Sequence, residues 1–324
     1  MTGGFQTAVR GALAVIAVAV GVVFLPIAVG VMPERFFAAG CAAGRWAGTE
    51  FFCFGFLWNT LTTGVFIGIM GPTIGMFLVH REMALIGETL AHTAFAGVAF
   101  GTLLFGASGW DVRLLVVAIV VAVGGALGVQ ALADRTGSYG DVPIAIMLVG
   151  SFAVGTLFID LGGGFAFVDI NSYLFGNIAI TDDRSVTLMA GLLLAVVGVV
   201  GAAYRPLVYI TFDEQTATAV RFNVRGYNAL LIVLTALVIV GAMQILGVIL
   251  VAAMLVVPVA AASLLSTGFK TALYTAIVIG VGSVISGIGI SWTYSLRPGA
   301  TIVVVAIGVY LLGVLLSEGG LDSR

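Results

Sequence analysis

The feature that most constrains this chain is a stretch of 39 residues, 228–266, that contains no charged side chain. As a single helix it would be about 58 Å long, which is roughly twice the thickness of the hydrocarbon core of a membrane. The stretch must therefore break, and Gly241, Gln244 and Gly247 mark where we expect the break. Several other stretches exceed about 18 apolar residues, the length typical of a transmembrane helix.

The composition excludes a water-soluble globular protein. Lys and Arg (13) together with Asp and Glu (15) make up 9% of the 324 residues, against about 25% in an ordinary soluble domain. Apolar residues make up 61%, and another 45 residues are glycine. The net charge of −2 argues against a nucleic-acid-binding surface, and the continuous apolar runs exclude a β-barrel, whose strands alternate apolar and polar residues. The sequence predicts an all-α, polytopic protein of the plasma membrane.

Ten transmembrane helices account for the apolar stretches, with boundaries accurate to a few residues. The expected spans are 11–32, 55–79, 83–106, 112–132, 141–160, 185–204, 228–245, 246–264, 272–293 and 299–316. An even number of spans places both termini on the same side of the membrane. With the termini inside, the inner segments carry eight Lys and Arg residues and the outer segments five, which is the bias that the positive-inside rule favours.

The first span precedes the rest of the bundle as an extension. We expect residues 1–54 to form an extra helix with an outer loop, and 55–324 to form the main transmembrane domain. A secretory signal peptide is the alternative, because 38–41 resembles a lipoprotein cleavage site, but the apolar run of about 22 residues is longer than a signal core. Cys41 and Cys53 lie on the predicted outer loop and either pair or remain two separate thiols.

Small residues recur at four-residue spacing along several predicted spans. The pairs are Gly64 and Gly68, Gly71 and Gly75, Gly97 and Gly101, and Gly124 and Gly128. In lipid, close packing of small residues drives helices together in place of the hydrophobic effect, so a tightly packed bundle explains these glycines. No segment between spans is long enough for a nucleotide-binding domain, and no GxxxxGK[ST] motif occurs, so any ATP hydrolysis must come from another chain.

Two ionisable residues fall inside the predicted span 83–106, where a charge is costly and therefore indicates function. Glu88 and His92 are four residues apart, so their side chains lie on one helix face, one turn apart. A carboxylate and a neutral imidazole on one face are typical ligands of a divalent transition metal. The alternative is a hydrogen-bonded Glu–His pair that only joins helices. His80, beside Arg81 at a helix end, is expected to be interfacial.

The predicted outer loop, 161–184, carries Asp169, Asp182 and Asp183. Such a rim would attract cations to the outer mouth of a pathway, although a solvated loop surface explains the same residues. The three carboxylates are therefore weaker candidates than the pair inside the membrane.

The most polar inner loop, 205–227, predicts a short helix over about 212–222. Thr211 and Glu214, three residues apart, match a capping box, in which the threonine caps the helix and the glutamate bonds back to it. We expect this helix to lie along the inner surface of the membrane.

Charges in the same loop agree with a helix. Asp213, with the glutamate that follows it, would lie at the positive end of the helix dipole and Arg221 toward the negative end. Asn223 and Gly226 are stop signals for the helix. A short amphipathic helix with Phe212 at its start is suited to docking into a groove of a soluble partner, and the alternative is a loop helix without a partner.

Four stretches of the chain, taken in order, resemble the membrane subunits of ABC importers for zinc and manganese. The run HREMALIGETLAH, from His80 to His92, resembles a family signature in which a basic residue, Met-Ala-Leu and Gly-Asp precede Ser-His. The others are Arg205-Pro206 leading to Thr211-Phe212-Asp213-Glu214, Ala242-Met243-Gln244 through Gly247 to Pro258, and Pro298-Gly299-Ala300-Thr301. The resemblance covers roughly residues 55–316 and leaves the first span as an extension.

The resemblance implies an ATP-driven importer of a divalent metal, zinc or manganese first and iron third, built as a permease homodimer. It also implies two cytosolic ATPase subunits, an external metal-binding protein and a coupling helix at about 212–222, with the metal as substrate and no permanently bound cofactor. Glu88 and His92 would line the metal path. Glu88 stands where the family has Asp and Ala91 where it has Ser, which leaves the metal preference and the coordination geometry open.

An ion-coupled secondary transporter or channel is the alternative function, with Glu88 and His92 as a proton relay. Such proteins typically contain inverted repeats, and the sequence shows no clear internal repeat. An intramembrane enzyme is less well supported, because HExxH, GxSxG and paired intramembrane aspartates are absent from the sequence. We therefore expect a transporter subunit and not an enzyme.

Overall fold

The computed structural model describes residues 2–28, 34–46, 51–105, 112–136, 141–162, 176 and 183–318, which are almost entirely helical and include no strand. The α-helices are α1 (Thr2–Ala19), α2 (Leu25–Ala28), α3 (Glu34–Trp46), α4 (Gly55–His80), α5 (Ala84–Phe105), α6 (Val112–Thr136), α7 (Asp141–Leu161), α8 (Asp183–Ala202), α9 (Tyr204–Phe212), α10 (Glu214–Ala219), α11 (Val224–Leu246), α12 (Val248–Leu265), α13 (Phe269–Tyr294) and α14 (Pro298–Glu318). A π-helical turn, Val20–Phe24, joins α1 to α2, and a 3₁₀ turn, Phe51–Cys53, precedes α4.

Each of the ten expected spans coincides with a helical segment of the structure. Within the described ranges, nine of these segments are long and apolar enough to cross a membrane, the first of them running continuously over Gln6–Ala28. The expected span 112–132 corresponds to α6, whose described apolar part, Leu115–Gly128, is shorter than a full span. The prediction of an all-α, polytopic membrane fold is confirmed.

The long uncharged stretch breaks at one of the three predicted residues. Helix α11 ends at Leu246 and α12 begins at Val248, so only Gly247 separates them. Its φ of 84° lies in the left-handed region, which glycine adopts without a steric cost. Residues 228–266 therefore form two spans, as predicted.

Helix α4 lies at the centre of the bundle. Almost all of its side chains from Leu57 to Leu78 are buried, as expected for a helix that is apolar on every face. Helices α8, α11, α12 and α13 pack around it, while α5 packs mainly against α6 and α7 and also contacts α11 and α12. This arrangement places α5, which carries Glu88 and His92, inside the bundle.

Glycines permit the closest helix contacts, as the small-residue pairs predict. A Cβ on Gly68 of α4 would lie 3.1 Å from the carbonyl carbon of Gly280 in α13. A Cβ on Gly75 would overlap the carbonyl oxygen of Leu255 in α12. At Gly124, by contrast, no described atom lies within 4 Å of the position that a Cβ would occupy. The prediction of close packing therefore does not hold at Gly124 within this chain.

At the end of the bundle predicted to face outward, Cys41 and Cys53 form a disulfide. The bond joins α3 to the turn that precedes α4. The indole N–H of Trp58 donates to the carbonyl of Phe52 at 3.0 Å, and the same ring packs closely against α3 at Gly40. Of the two alternatives for these cysteines, the structure therefore has the disulfide, which tethers the N-terminal extension to α4.

Candidate functional site

The turn between α4 and α5 fixes the start of the helix that carries the intramembrane pair. The amide of Met83 donates to the carbonyl of Leu78 at 2.9 Å, and the amide of Glu82 to the carbonyl of Val79 at 3.1 Å, which are the two bonds of a Schellman cap. Glu82 has a φ of 58°, at a position where glycine is usual. The two backbone bonds hold α5 firmly to the end of α4.

Glu88 and His92 line one cavity of about 320 Å³ between α5 and α12. Glu88 is exposed, and His92 is half-buried. Apolar side chains of α12 form the facing wall: Val248, Ile249, Ala252, Ala253 and Val256. The two predicted ligands therefore open onto the same space, opposite a wall that provides no charged group.

An aromatic contact positions the imidazole of His92. Its ring meets the ring of Phe152 in α7 edge-on, with the centroids 5.2 Å apart, and Phe152 in turn stacks on Phe95. The Nδ1 atom of His92 is buried without a hydrogen-bond partner. Within the described residues, neither a hydrogen bond nor an ion pair joins Glu88 to His92. This geometry does not match a hydrogen-bonded pair that only joins helices.

The cavity contains two side chains of this chain that could bind a metal, Glu88 and His92. Among the described residues, no group of three or more His, Cys, Asp or Glu side chains lies close enough to hold an ion. Ala91, where the family signature has Ser, is buried and provides no side-chain oxygen. Divalent ions bind four or more ligands, so an ion in this cavity would need further ligands from water or from a second chain.

The predicted capping box on the inner side is wrong. Thr211 lies within α9, where its hydroxyl donates to the carbonyl of Leu207 at 2.7 Å. The cap is Asp213, which has an extended backbone and accepts hydrogen bonds from the amide of Thr216 at 2.8 Å and from its hydroxyl at 2.5 Å. Aspartate is the stronger N-cap residue of the two. The segment is therefore α9 followed by the short α10, not one helix over 212–222; we call α9 and α10 the docking segment.

The end of α10 also differs from the prediction. The helix ends at Ala219, and Arg221 adopts a left-handed conformation (φ 65°) just beyond it, with its amide donating to the carbonyl of Thr218 at 3.0 Å. Arg221 thus occupies the place that glycine often takes in a helix-ending turn. Asn223 is not a stop signal, because it caps the start of α11 by accepting a hydrogen bond from the amide of Gly226 at 3.0 Å.

Negative charge lies at the N-terminus of α10. Asp213 caps the helix and Glu214 occupies its first turn, and both side chains are exposed. Hydrogen bonds from the hydroxyl and then the amide of Thr216 hold the pKa of Asp213 below its usual value. Asp213 is therefore ionised at neutral and mildly acidic pH, where it also interacts favourably with the helix dipole.

Large apolar side chains are exposed along and beside the docking segment. Tyr209 is 59% exposed, Phe212 62% and Val220 63%, and the rings of Tyr209 and Phe222 stack with centroids 6.1 Å apart. The ring of Phe212 also packs against Phe269 at the start of α13, with centroids 5.5 Å apart. Exposed aromatic residues of this kind are typical of protein–protein contacts.

The contacts of Arg81, at the end of α4, are not predictable from local spacing. Its Nε donates to Thr211 Oγ1 at 3.0 Å, its Nη1 to Asn228 Oδ1 at 2.5 Å and its Nη2 to the carbonyl of Leu207 at 3.3 Å. Burial holds the pKa of Arg81 below its usual value, and the carboxylate of Glu214 offsets only part of this effect. The only signal in the sequence is Asn228, a polar residue at the edge of an uncharged stretch.

The predicted outer rim lies only partly within the described residues. Asp183 begins α8 and accepts a hydrogen bond from the side-chain amide of Asn59 at 2.8 Å. Asp169 and Asp182 lie outside the described residues. The carboxylate of Asp183 therefore links α8 to α4 in addition to facing solvent.

Comparison with known proteins gives consistent matches over most of the chain. The family model described as the ABC 3 transport family matches residues 53–317. MntC of Halalkalibacterium halodurans, a manganese transport system membrane protein, is 33% identical over 82% of this chain and 88% of its own length. ScaB of Streptococcus gordonii, a manganese import system permease protein, is 28% identical over 82% of this chain and 92% of its own length. The solved structure of PsaBC from Streptococcus pneumoniae in complex with Fab gives a TM-score of 0.73 at 28% identity, over 87% of this chain and 95% of that chain.

The family match begins just before α4 and ends within α14, so it contains the cavity and the docking segment. Residues 1–52, which include α1 to α3, precede it. The resemblance predicted from four short stretches is therefore confirmed over nearly the range expected. With its apolar membrane helices and this match, the chain is a multi-pass protein of the plasma membrane and belongs to the ABC 3 transport family.

Proposed function

We propose that this chain is the transmembrane subunit of an ATP-driven importer of a divalent metal, with manganese as the first candidate. The observation that carries the proposal is the cavity that Glu88 and His92 line together. In addition, the Nδ1 atom of His92 is buried and has no hydrogen-bond partner among the described residues. The relatives named for manganese transport support manganese ahead of zinc and iron. In this proposal the chain is not an enzyme, and a partner hydrolyses ATP.

Glu88 and His92 bind the ion during its passage. A carboxylate and an imidazole suit a divalent transition metal, and two protein ligands hold it weakly enough for release, which a transport site requires. Glu88 is exposed and not enclosed by its own chain. The remaining ligands therefore come from water and from a second copy of the chain, so the metal path is formed by a homodimer.

The docking segment couples the chain to two cytosolic ATP-binding subunits. The exposed side chains of Tyr209, Phe212 and Val220 provide apolar surface for this contact, and the N-terminus of α10 adds negative charge. The residues that we assign to the coupling contact lie in the docking segment or directly beside it: Thr211, Phe212, Asp213, Glu214 and Arg221. Movement of the ATPase subunits would shift this segment and open the cavity alternately to each side.

An external metal-binding protein delivers the ion at the opposite end of the bundle. The disulfide between Cys41 and Cys53 supports this orientation, because disulfides persist outside the reducing cytosol. The acidic residues that we assign to the outer mouth of the pathway, Asp169, Asp182 and Asp183, would attract cations electrostatically. The metal is the substrate, and no permanently bound cofactor is required.

Uptake of radioactive Mn²⁺ into liposomes that contain the chain, its ATPase and its external binding protein tests the proposal. We expect ATP-dependent uptake. His92→Ala and Glu88→Gln should lower the rate at least about tenfold, because even the loss of a group that only orients a ligand costs that much. Glu88→Asp is the matched control, because it keeps the charge and shortens the side chain by one methylene.

The outcomes separate the competing interpretations. Unchanged uptake in His92→Ala would refute the assignment of the metal site. Uptake that continues without ATP would favour an ion-coupled secondary transporter or channel. Competition by Zn²⁺ and Fe²⁺ against Mn²⁺ in the same liposomes ranks the three metals.

A further inference from the structure

We propose that Arg81 is the positioning residue that transmits movement of the docking segment to the helix that carries the metal ligands. This role rests on the proposed function and adds to it the residue that links the docking segment to the cavity. Arg81 follows the last residue of α4 and lies outside the membrane-spanning helices. It precedes Glu88 by only seven positions in the chain.

The guanidinium of Arg81 joins three elements at once. In α9 it donates to the hydroxyl of Thr211 and to the carbonyl of Leu207, and in α11 it donates to the side-chain oxygen of Asn228. Thr211 also donates its own hydroxyl proton to the Leu207 carbonyl, so these groups form a closed network. A planar guanidinium holds several acceptors in fixed directions, which a lysine ammonium does not.

This network resists separation of the docking segment from α4. Arg81 is half-buried, and a guanidinium stays protonated in proteins. A charged donor in a partly apolar environment loses its acceptors only at a free-energy cost. Glu214, in α10, adds an attractive charge from the docking segment. When the docking segment moves, the end of α4 therefore moves with it.

The turn after Arg81 passes this movement into α5. The amides of Glu82 and Met83 both bond back to the last turn of α4, so Arg81 and the start of α5 move as one unit. Glu88 lies in the second turn of α5 and lines the cavity. A displacement at the inner surface is thereby converted into a displacement of the metal ligands.

Arg81→Gln tests this role in liposomes that contain the ATPase and the external binding protein. The ATPase should remain bound, because Tyr209, Phe212 and Val220 are unchanged. The number of Mn²⁺ ions transported per ATP hydrolysed should fall about fivefold or more, the lower end of typical coupling between two sites. Arg81→Lys should recover part of this ratio by restoring the charge. Arg225→Gln removes an exposed arginine from the first turn of α11 and should keep the wild-type ratio.

A double-variant cycle distinguishes coupling from a loss of stability. If Arg81 acts through Thr211, Thr211→Val lowers the ratio, and adding it to Arg81→Gln causes little further loss. A wild-type ratio in Arg81→Gln would overturn the proposal, as would a loss of uptake fully explained by a smaller amount of assembled complex. Failure of the wild-type chain to transport Mn²⁺ would instead refute the proposed function, so the two failures are distinguishable.

Discussion

Gly75→Ala tests the packing that positions one wall of the cavity lined by Glu88 and His92. In α4, Gly75 faces the backbone of Leu255 in α12, where an added Cβ would overlap the Leu255 carbonyl oxygen. The side chain of Leu255 lies against Gly87 of α5, 2.9 Å from the point that a Cβ on Gly87 would occupy. Leu255 is therefore held between two glycines, and the clash is with its backbone, which a change of rotamer does not move.

The expected effect follows from two opposing terms. Overpacking of a well-packed interior costs about 1–3 kcal/mol, while replacing a helical glycine with alanine returns about 1 kcal/mol through helix propensity. We therefore expect Gly75→Ala to lower the free energy of unfolding by about 1 kcal/mol, and by at most about 2. Metal uptake should also fall, because α12 forms the cavity wall that faces Glu88 and His92.

Unfolding in mild detergent and Mn²⁺ uptake in liposomes provide the two measurements. Gly198→Ala in α8 is the matched control, because no described atom lies within 4 Å of the added Cβ, and it should be neutral or stabilising by up to about 1 kcal/mol. If Gly75→Ala is as stable and as active as Gly198→Ala, helices α4 and α12 do not pack as described.

Three other changes test the turn, the cap and the disulfide. Glu82→Gly should raise the free energy of unfolding by about 1 kcal/mol, because glycine adopts the φ of 58° without strain; an unchanged unfolding transition would contradict this. Asp213→Ala should weaken ATPase binding at neutral pH. In the wild type, the ionised Asp213 cap contributes its full stabilisation above the ordinary carboxyl pKa, and this is lost only as the pH falls through the pKa that Thr216 has lowered. The affinity of the wild-type chain for the ATPase, measured by calorimetry, should therefore stay level from about pH 5 to 8. Replacing both Cys41 and Cys53 with Ser should lower the free energy of unfolding by up to about 3 kcal/mol. If a reducing agent leaves the unfolding transition of the wild-type chain unchanged, the disulfide does not stabilise the fold as a tether.

Most of the fold was predictable because the bilayer leaves few options. The length and charge of each apolar stretch determine where a helix crosses, and a stretch twice too long requires a break, which falls at Gly247. The pairing of Cys41 with Cys53 was not predictable in the same way. It depends on how α3 folds back over Trp58, and spacing along the chain does not specify that contact.

Local spacing also predicted the part of the site that lies on a single helix. Glu88 and His92 share a face because four residues complete about one turn. The cap was misassigned because Thr211 and Asp213 are both cap-forming residues, and the pattern does not show which of them leaves the helix. The acceptors of Arg81 lie 126 to 147 positions away in the chain, so only tertiary packing brings them together.

The unpaired nitrogen of His92 distinguishes this site from an ordinary polar contact between helices. Three buried side-chain atoms in the described residues have no hydrogen-bond partner: Thr63 Oγ1, Ser283 Oγ and His92 Nδ1. A hydroxyl can rotate to bond a carbonyl of its own helix, as that of Thr62 does with Trp58 at 2.7 Å. An imidazole nitrogen can also bond a carbonyl of its own helix, as Nδ1 of His80 does with Met76 at 2.9 Å. Nδ1 of His92 makes no such bond, and leaving it buried and unpaired costs about 1–3 kcal/mol. Because His92 lines the same cavity as Glu88, the proposed function offers a compensation for this cost, which is the binding of a cation by the imidazole beside that carboxylate.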